Sequence, residues 1–397
     1  MSHESQSAGG KSGAPVWLMA LIPLILLAGL LWLVVESDPA KAIRGDRPPV
    51  EELVFQRVEL TPDGITATML NDGPDPVTIA QVIIDEAYWS FSQTPTGELS
   101  HLDQARLEIP YPWVATETHE LRVITSSGIT FDHEIAVATE TPTPSWRFFV
   151  VFALIGLYVG VIPVALGLLW YPAVGRLGRR GLDFVLALTL GLLLFLLIDT
   201  VEDGLEAAGE IAASYQGTVL FLGVALLSFL GIETLGAWLR GRYSGERAGW
   251  ITSLLIAIGI GLHNFGEGLA IGAAYGLGEI SLGALLIVGF TLHNTTEGLA
   301  IVAPLVGSRV PITHFVLVGL VAGAPTIAGA WIGGIVYSLL WSVVFLAIAA
   351  GAIAQVVAQI TRQVAGSRAI ASLVGSRPVM AGLLAGFALM YATGMLI

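Results

Sequence analysis

Two phrases thirty positions apart hold side chains that can bind a metal ion. The first is Leu262-His263-Asn264-Phe265-Gly266-Glu267-Gly268-Leu269-Ala270-Ile271 and the second is Leu292-His293-Asn294-Thr295-Thr296-Glu297-Gly298-Leu299-Ala300-Ile301. In a helix, a His and a Glu four positions apart lie on one face, a turn from each other. Asn264 and Asn294 stand about 100° round from their histidines and complete a polar wedge. Two such helices, antiparallel and facing, supply two imidazoles, two carboxylates and two amide oxygens. That mixed N/O set suits zinc and other first-row divalent ions. Its order differs from the His-Glu-x-x-His of zinc proteases, where histidines stand at both ends. A polar pair gluing two helices together is the plainer alternative, and the matched second copy argues for the metal.

The elements around these phrases belong in a bilayer. Of 397 residues, 54% are hydrophobic and only 12% charged, with a mean hydropathy of +0.77. Soluble domains carry roughly twice that charged fraction, whereas repeated apolar runs of about 20 residues mark transmembrane helices. The chain contains no cysteine, so disulfides and thiolate ligands are excluded, and a metal must be held by His, carboxylate, amide or water. The net charge of -13 favours cations and argues against nucleic acid as a partner.

In chain order, residues 1–36 read as a polar tail followed by an apolar anchor, Val16 to Val35. The run exceeds a signal peptide's usual core of about 7–15 residues, although Ala40-Lys41-Ala42 resembles a cleavage site and keeps that alternative open. Residues 37–145 predict a small β-sandwich. Strands are expected at 53–60, 65–70, 77–84, 105–109, 116–125 and 129–137, with turns at Asn71-Asp72-Gly73-Pro74 and Ser126-Ser127-Gly128. This domain is either a cation-gathering or partner-binding lid or a stable spacer; His101, His119 and His133 are scattered without ligand spacing. After a Pro/Thr linker, 146–397 predict eight transmembrane helices, near 147–170, 183–201, 217–240, 250–276, 281–306, 313–338, 341–360 and 379–397.

Arg176, Arg179 and Arg180, then Arg240, Arg242 and Arg247, then Arg309, then Arg362, Arg368 and Arg377 fall in alternate loops, and the loops between carry none. The positive-inside rule puts those four loops in the cytoplasm and the β domain and C-terminus outside. The whole is expected to be a multi-pass protein of the cell membrane with the lipid bilayer as its solvent. Asp199, Asp203, Glu206 and Glu210 fall on one helical stripe at the outer end of the second helix, with Glu202 beside them. They read as an outer funnel for cations or as an ordinary solvated helix end. Glu233, towards the cytoplasmic side of the third helix, reads as an exit-side ligand or proton carrier, or as a helix–helix hydrogen bond. Gly268, Gly272 and Gly276 recur every four residues and predict a close approach of the two phrase-bearing helices.

The His-Asn-x-x-Glu-Gly-Leu-Ala phrase on two successive helices resembles the ZIP (Zrt-/Irt-like) family of divalent metal transporters, most strongly over 250–306. Eight helices from 146 to 397 fit that family's plan, while 1–146 is an addition the resemblance does not cover. It implies that His263, Asn264, Glu267, His293, Asn294 and Glu297 bind the transported ion. It also implies movement towards the cytoplasm by displacement of one helix bundle against another. Zinc is the expected substrate, with Fe2+ or Mn2+ next, and a homodimer is an open possibility. The sequence departs from the family pattern at Gly266 and Thr296, where a proline commonly precedes the glutamate, at Ala324, where a glutamate precedes the proline, and at Gln359. One metal is therefore expected and the second is left open. Two other readings remain: an intramembrane metallohydrolase that activates water on the same ligands, and a membrane-anchored receptor or sensor.

Overall fold

The structure, a computed structural model, describes residues 16–37, 49–242, 246–276, 280–335, 338–366 and 369–395. The polar tail 1–13, the Ala40-Lys41-Ala42 motif and Arg368 lie outside them. The chain divides into two units, Met1–Val50 and Glu51–Ile397. The first holds a 22-residue helix, α1 (Val16–Ser37), which has no acidic residue in its first turn and no basic residue in its last. At about 1.5 Å per residue it is long enough to span the hydrocarbon of a bilayer.

The second unit begins with eight strands: β1 (Leu53–Thr61), β2 (Gly64–Asn71), β3 (Ile79–Ile84), β4 (Ala87–Trp89), β5 (Ser92–Thr94), β6 (Gln104–Ile109), β7 (His119–Thr125) and β8 (Thr130–Ile135). They form two antiparallel four-stranded sheets, ordered β1-β2-β6-β5 and β4-β3-β7-β8. Alternation along the strands sends Met69, Leu107, Val82, Leu121 and Val123 into one shared core, as expected of a sandwich. The hairpin at Ser126-Ser127-Gly128 joins β7 to β8, and Gly128 takes φ +92° there. The Asn71-Asp72-Gly73-Pro74 turn instead carries the chain from one sheet to the other, because β2 pairs with β1 and β6 while β3 pairs with β4 and β7. The short edge strands β4 and β5 lack a long alternating run, so pattern reading passes over them.

Ser145 then caps the first membrane rod, its Oγ accepting from the Phe148 N–H, which satisfies one of the unpaired donors of a helix start. The rod consists of α2 (Trp146–Gly156), a π turn (Leu157–Val161) and α3 (Ile162–Leu168), followed by the short α4 (Tyr171–Val174). Beyond it come α5 (Arg179–Glu210), α6 (Gly217–Arg240), α7 (Glu246–Gly276), α8 (Ile280–Val302), α9 (Ile312–Gly323), α10 (Pro325–Ile335), α11 (Leu339–Ala365) and α12 (Arg377–Gly394). Among the described residues of this second unit, seven helical stretches are long and apolar enough to cross a membrane; α12 supplies a shorter apolar helix. The protein is a polytopic membrane protein with a small β domain.

Three helices differ from the sequence expectation. The acidic stripe is part of α5 itself, which runs to Glu210. The sixth span, expected as one helix, breaks at Ala324 where Pro325 follows, and the first is interrupted by a π turn just before Pro163. Proline removes a donor and crowds the preceding turn, which explains both interruptions.

The helices pack in two groups. The rod α2–α3, α7, α8 and α9–α10 pack chiefly on one another, as do α5, α6, α11 and α12. Contacts of α7 with α11 and of α5 with α8 join the groups. The β domain sits against the ends of α5 and α11. Asp72 accepts hydrogen bonds from the Ala213 and Ser214 N–H groups. Val54, Phe55 and Gln56 share a crevice with Ile211, Tyr215, Leu339 and Leu340. Because successive helices alternate in direction, the arginine-bearing loops gather at the opposite end of the bundle.

Candidate metal centre

The two phrases fall in the interiors of α7 and α8, the least apolar of the seven spans. The six His, Asn and Glu side chains are all buried, each 5% exposed or less. Polar groups at this depth are costly unless paired or coordinated. Three of them form a tight cluster: a ring nitrogen of His263, a carboxylate oxygen of Glu267 and a ring nitrogen of His293 lie within 4.8 Å of one another. Glu267 Oε1 is hydrogen-bonded to His293 Nε2. His263 Nε2 stands 3.0 Å from the same oxygen without the alignment of a hydrogen bond. The imidazole rings are tilted 38° with centroids 6.1 Å apart. Two nitrogens and one oxygen thus converge on a volume that a single divalent ion can occupy.

The asparagines act differently from the histidines. The Asn294 amide donates 2.9 Å to Glu267 Oε2 and 3.1 Å to the Val159 carbonyl. The Asn264 amide donates 3.1 Å to the Ala322 carbonyl. Each NH2 group is therefore turned to backbone or to Glu267, and Oδ1 of both residues has no hydrogen-bond partner. Glu297 stands within electrostatic reach of His263, Glu267 and His293 but outside the tight cluster. Both of its carboxylate oxygens are buried, with the Asn264 side chain in reach but no well-formed hydrogen bond among the described residues. Buried polar atoms are nearly always paired, so four oxygens without a well-formed hydrogen bond, from Asn264, Asn294 and Glu297, call for a cation or water beside the cluster.

The glycines do not do what their spacing predicts. Gly268 and Gly272 face α10 rather than α8: a Cβ on Gly268 would stand 2.8 Å from Ala330 N, and one on Gly272 2.6 Å from Gly334 N. Gly298 faces α3, where a Cβ would stand 2.6 Å from Gly167 Cα. Small residues at these crossings let backbones meet, and they dock α7 and α8 onto flanking helices. Gly276 lies where no side-chain environment is described.

Asp199, Glu202, Asp203 and Glu206 are exposed on α5 and do not join the cluster, although Asp199 is within electrostatic reach of His263 and His293. Glu233 is an ion-pair partner. Arg362 grips it with two hydrogen bonds of 2.9 and 2.7 Å, Arg240 adds one of 3.3 Å and Gln355 one of 3.1 Å. Gln355 also donates to Gln359, whose amide reaches the Thr252 carbonyl of α7, so this network ties the two helix groups together at the arginine end. Gln355 was missed by the sequence reading; two glutamines a turn apart inside a span were the available signal. In the β domain, His119 is buried, with Nδ1 2.7 Å from Asp85 Oδ2 and Nε2 accepting from the Val114 N–H. His101 contacts the Gly73 carbonyl and His133 stacks on Phe55. The structure does not bring these three together.

No protein-family model matches the chain, and no curated protein matches it.

Proposed function

We propose that this protein is a divalent metal cation transporter, with Zn2+ as the principal substrate and Fe2+ or Mn2+ as alternatives. His263, Glu267 and His293 hold the ion, Glu297 and the Asn264 and Asn294 oxygens stand beside it, and the ion moves towards the cytoplasm. The observation that carries the reading is the convergence of two imidazole nitrogens and a carboxylate oxygen within 4.8 Å inside two membrane-length helices. A structural polar pair would not need a second buried carboxylate at the same depth that lacks a well-formed hydrogen bond.

Three further features support it. The helix groups are the arrangement that alternating access by one bundle moving against another requires. The exposed carboxylates of α5 draw cations to the end that bears the β domain. The arginine-rich loops gather at the other end, which the positive-inside rule assigns to the cytoplasm. The helices then lie in the plasma membrane and the β domain is extracytoplasmic.

The test is uptake of Zn2+ into liposomes carrying the purified chain and a zinc-sensitive dye inside. Wild type is expected to load the vesicles, and Glu267→Ala and His293→Ala to lose most of that rate while retaining their fold. Transport at the wild-type rate in either variant would falsify the site assignment. Zinc binding without transport would favour the sensor or hydrolase alternatives.

A further inference from the structure

We infer that Pro163 and Pro325 are positioning residues for the metal centre: the breaks they impose free the backbone carbonyls that aim Asn294 and Asn264. The inference rests on the metal-transport reading and concerns how that site is built. In an unbroken α-helix each carbonyl accepts from the N–H four residues on. Val159 lies four residues before Pro163, which has no N–H to give. Its carbonyl accepts instead from Asn294 Nδ2 at 3.1 Å. The rod is locally a π turn over Leu157–Val161, a feature common at functional sites.

The second break reaches the same end by a different route: Pro325 lies three residues after Ala322, so the carbonyl is freed by the tightened turn and not by the missing proline N–H. α9 ends at Gly323, Pro325 opens α10, and the Ala324 carbonyl is taken by the Ile327 N–H in a tighter turn at 3.0 Å. Just before the break, the Ala322 carbonyl accepts from Asn264 Nδ2 at 3.1 Å. The two breaks pack directly against each other: a Cβ on Gly323 would stand 2.6 Å from Val161 Cα and 2.9 Å from the Gly160 carbonyl.

The consequence is an orientation lock. An asparagine amide can present either its oxygen or its nitrogen to a site, and a neutral carbonyl behind it decides which. With Nδ2 held by Val159, the other Asn294 hydrogen reaches Glu267 Oε2 at 2.9 Å. Glu267 Oε1 is left for the two histidines, and Asn294 Oδ1 stays free as an acceptor. Outer-shell hydrogen bonds of this kind fix ligand direction and typically change metal affinity by about 10–100-fold.

The test is a pair of double-mutant cycles on the full chain, with Zn2+ titration and the Co2+ absorption spectrum as readouts. Pro163→Ala restores an N–H that competes for the Val159 carbonyl. It is expected to weaken Zn2+ by about tenfold and to shift the Co2+ bands. In an Asn294→Ala background the same proline change is expected to be silent, because the amide it acts through is gone. Pro325→Ala with Asn264→Ala forms the second, independent cycle, and Pro163→Ser replaces Pro163→Ala if the latter fails to fold. Wild-type affinity and spectrum in Pro163→Ala, or a loss that simply adds to that of Asn294→Ala, would overturn the inference while leaving the metal reading intact. A wild-type chain that binds neither ion removes the metal reading and this inference together.

Discussion

Gly298 offers a test in which geometry sets the size of the effect. A Cβ placed there would stand 2.6 Å from both Gly167 Cα and the Val164 carbonyl oxygen of α3, whereas ordinary contact begins at 3.4 Å. Both obstacles are backbone and cannot rotate away, so Gly298→Ala must push α8 off α3 by about 0.8 Å. The Asn294–Val159 hydrogen bond, now 3.1 Å, lies across the same crossing. Stretched by that amount it reaches about 3.9 Å and ceases to be a hydrogen bond. Overpacking costs about 1–3 kcal/mol and the lost bond about 0.5–1.5 kcal/mol, together about 1.5–4.5 kcal/mol. His293 and Asn294 move with the helix, so Zn2+ affinity is expected to fall by about 10–100-fold. Gly223→Ala on α6 is the control, since nothing lies within 4 Å of the added carbon. Thermal unfolding in detergent and Zn2+ competition against a chelating dye read the two effects. Wild-type stability and affinity in Gly298→Ala would refute the packing argument.

Two predictions concern the β domain. Asp72→Ala removes a carboxylate that accepts two hydrogen bonds from the Ala213 and Ser214 N–H groups, each worth about 1.5–3 kcal/mol for a charged acceptor. Hydrogen exchange at residues 213–215 is expected to accelerate at least about tenfold, and unchanged protection there would mean the domain is held elsewhere. Burial pulls the Asp85 carboxyl up, but hydrogen bonds from Tyr111, the Glu120 N–H and His119 outweigh it and hold it below its ordinary 3.8. A depressed acid contributes stability that is complete above its unfolded value and is lost as pH falls through the folded one. Protection of the β7 core in the full chain is therefore expected to drop below about pH 4. Asp85→Asn should show less of that drop, and an identical acid profile in the variant would contradict the assignment.

Much of this architecture is legible from residue types. Membrane spans are read from uninterrupted apolar length, and the site from duplicated polar residues that have no other reason to be at that depth. Short β-like runs between turns find β1, β2, β3, β6, β7 and β8. What the pattern hides is direction. Spacing places Gly268 and Gly272 on a face of α7 but cannot say that the face meets α10. It likewise places Glu233 near a helix end without revealing Arg362, which is 129 positions away in sequence. The two asparagines read as ligands, yet their amides donate to backbone carbonyls, in helices that share no motif with them.

Charge sets how many ions the proposed centre can hold. On the proposed reading, Glu267 and Glu297 carry two negative charges into a buried centre, and one divalent ion balances them while the histidines and asparagines stay neutral. A second ion would leave an uncompensated double charge in a low-dielectric interior, which is heavily penalised. Asn264 and Asn294 are uncharged, so neither offsets a second cation. Metal analysis of the purified chain should accordingly approach one Zn2+ per molecule, and Glu297→Gln should weaken binding by removing half of the balancing charge. Two tightly held ions per chain would show that carboxylates beyond this pair, with the α5 stripe as the nearest supply, reach the centre when it is loaded.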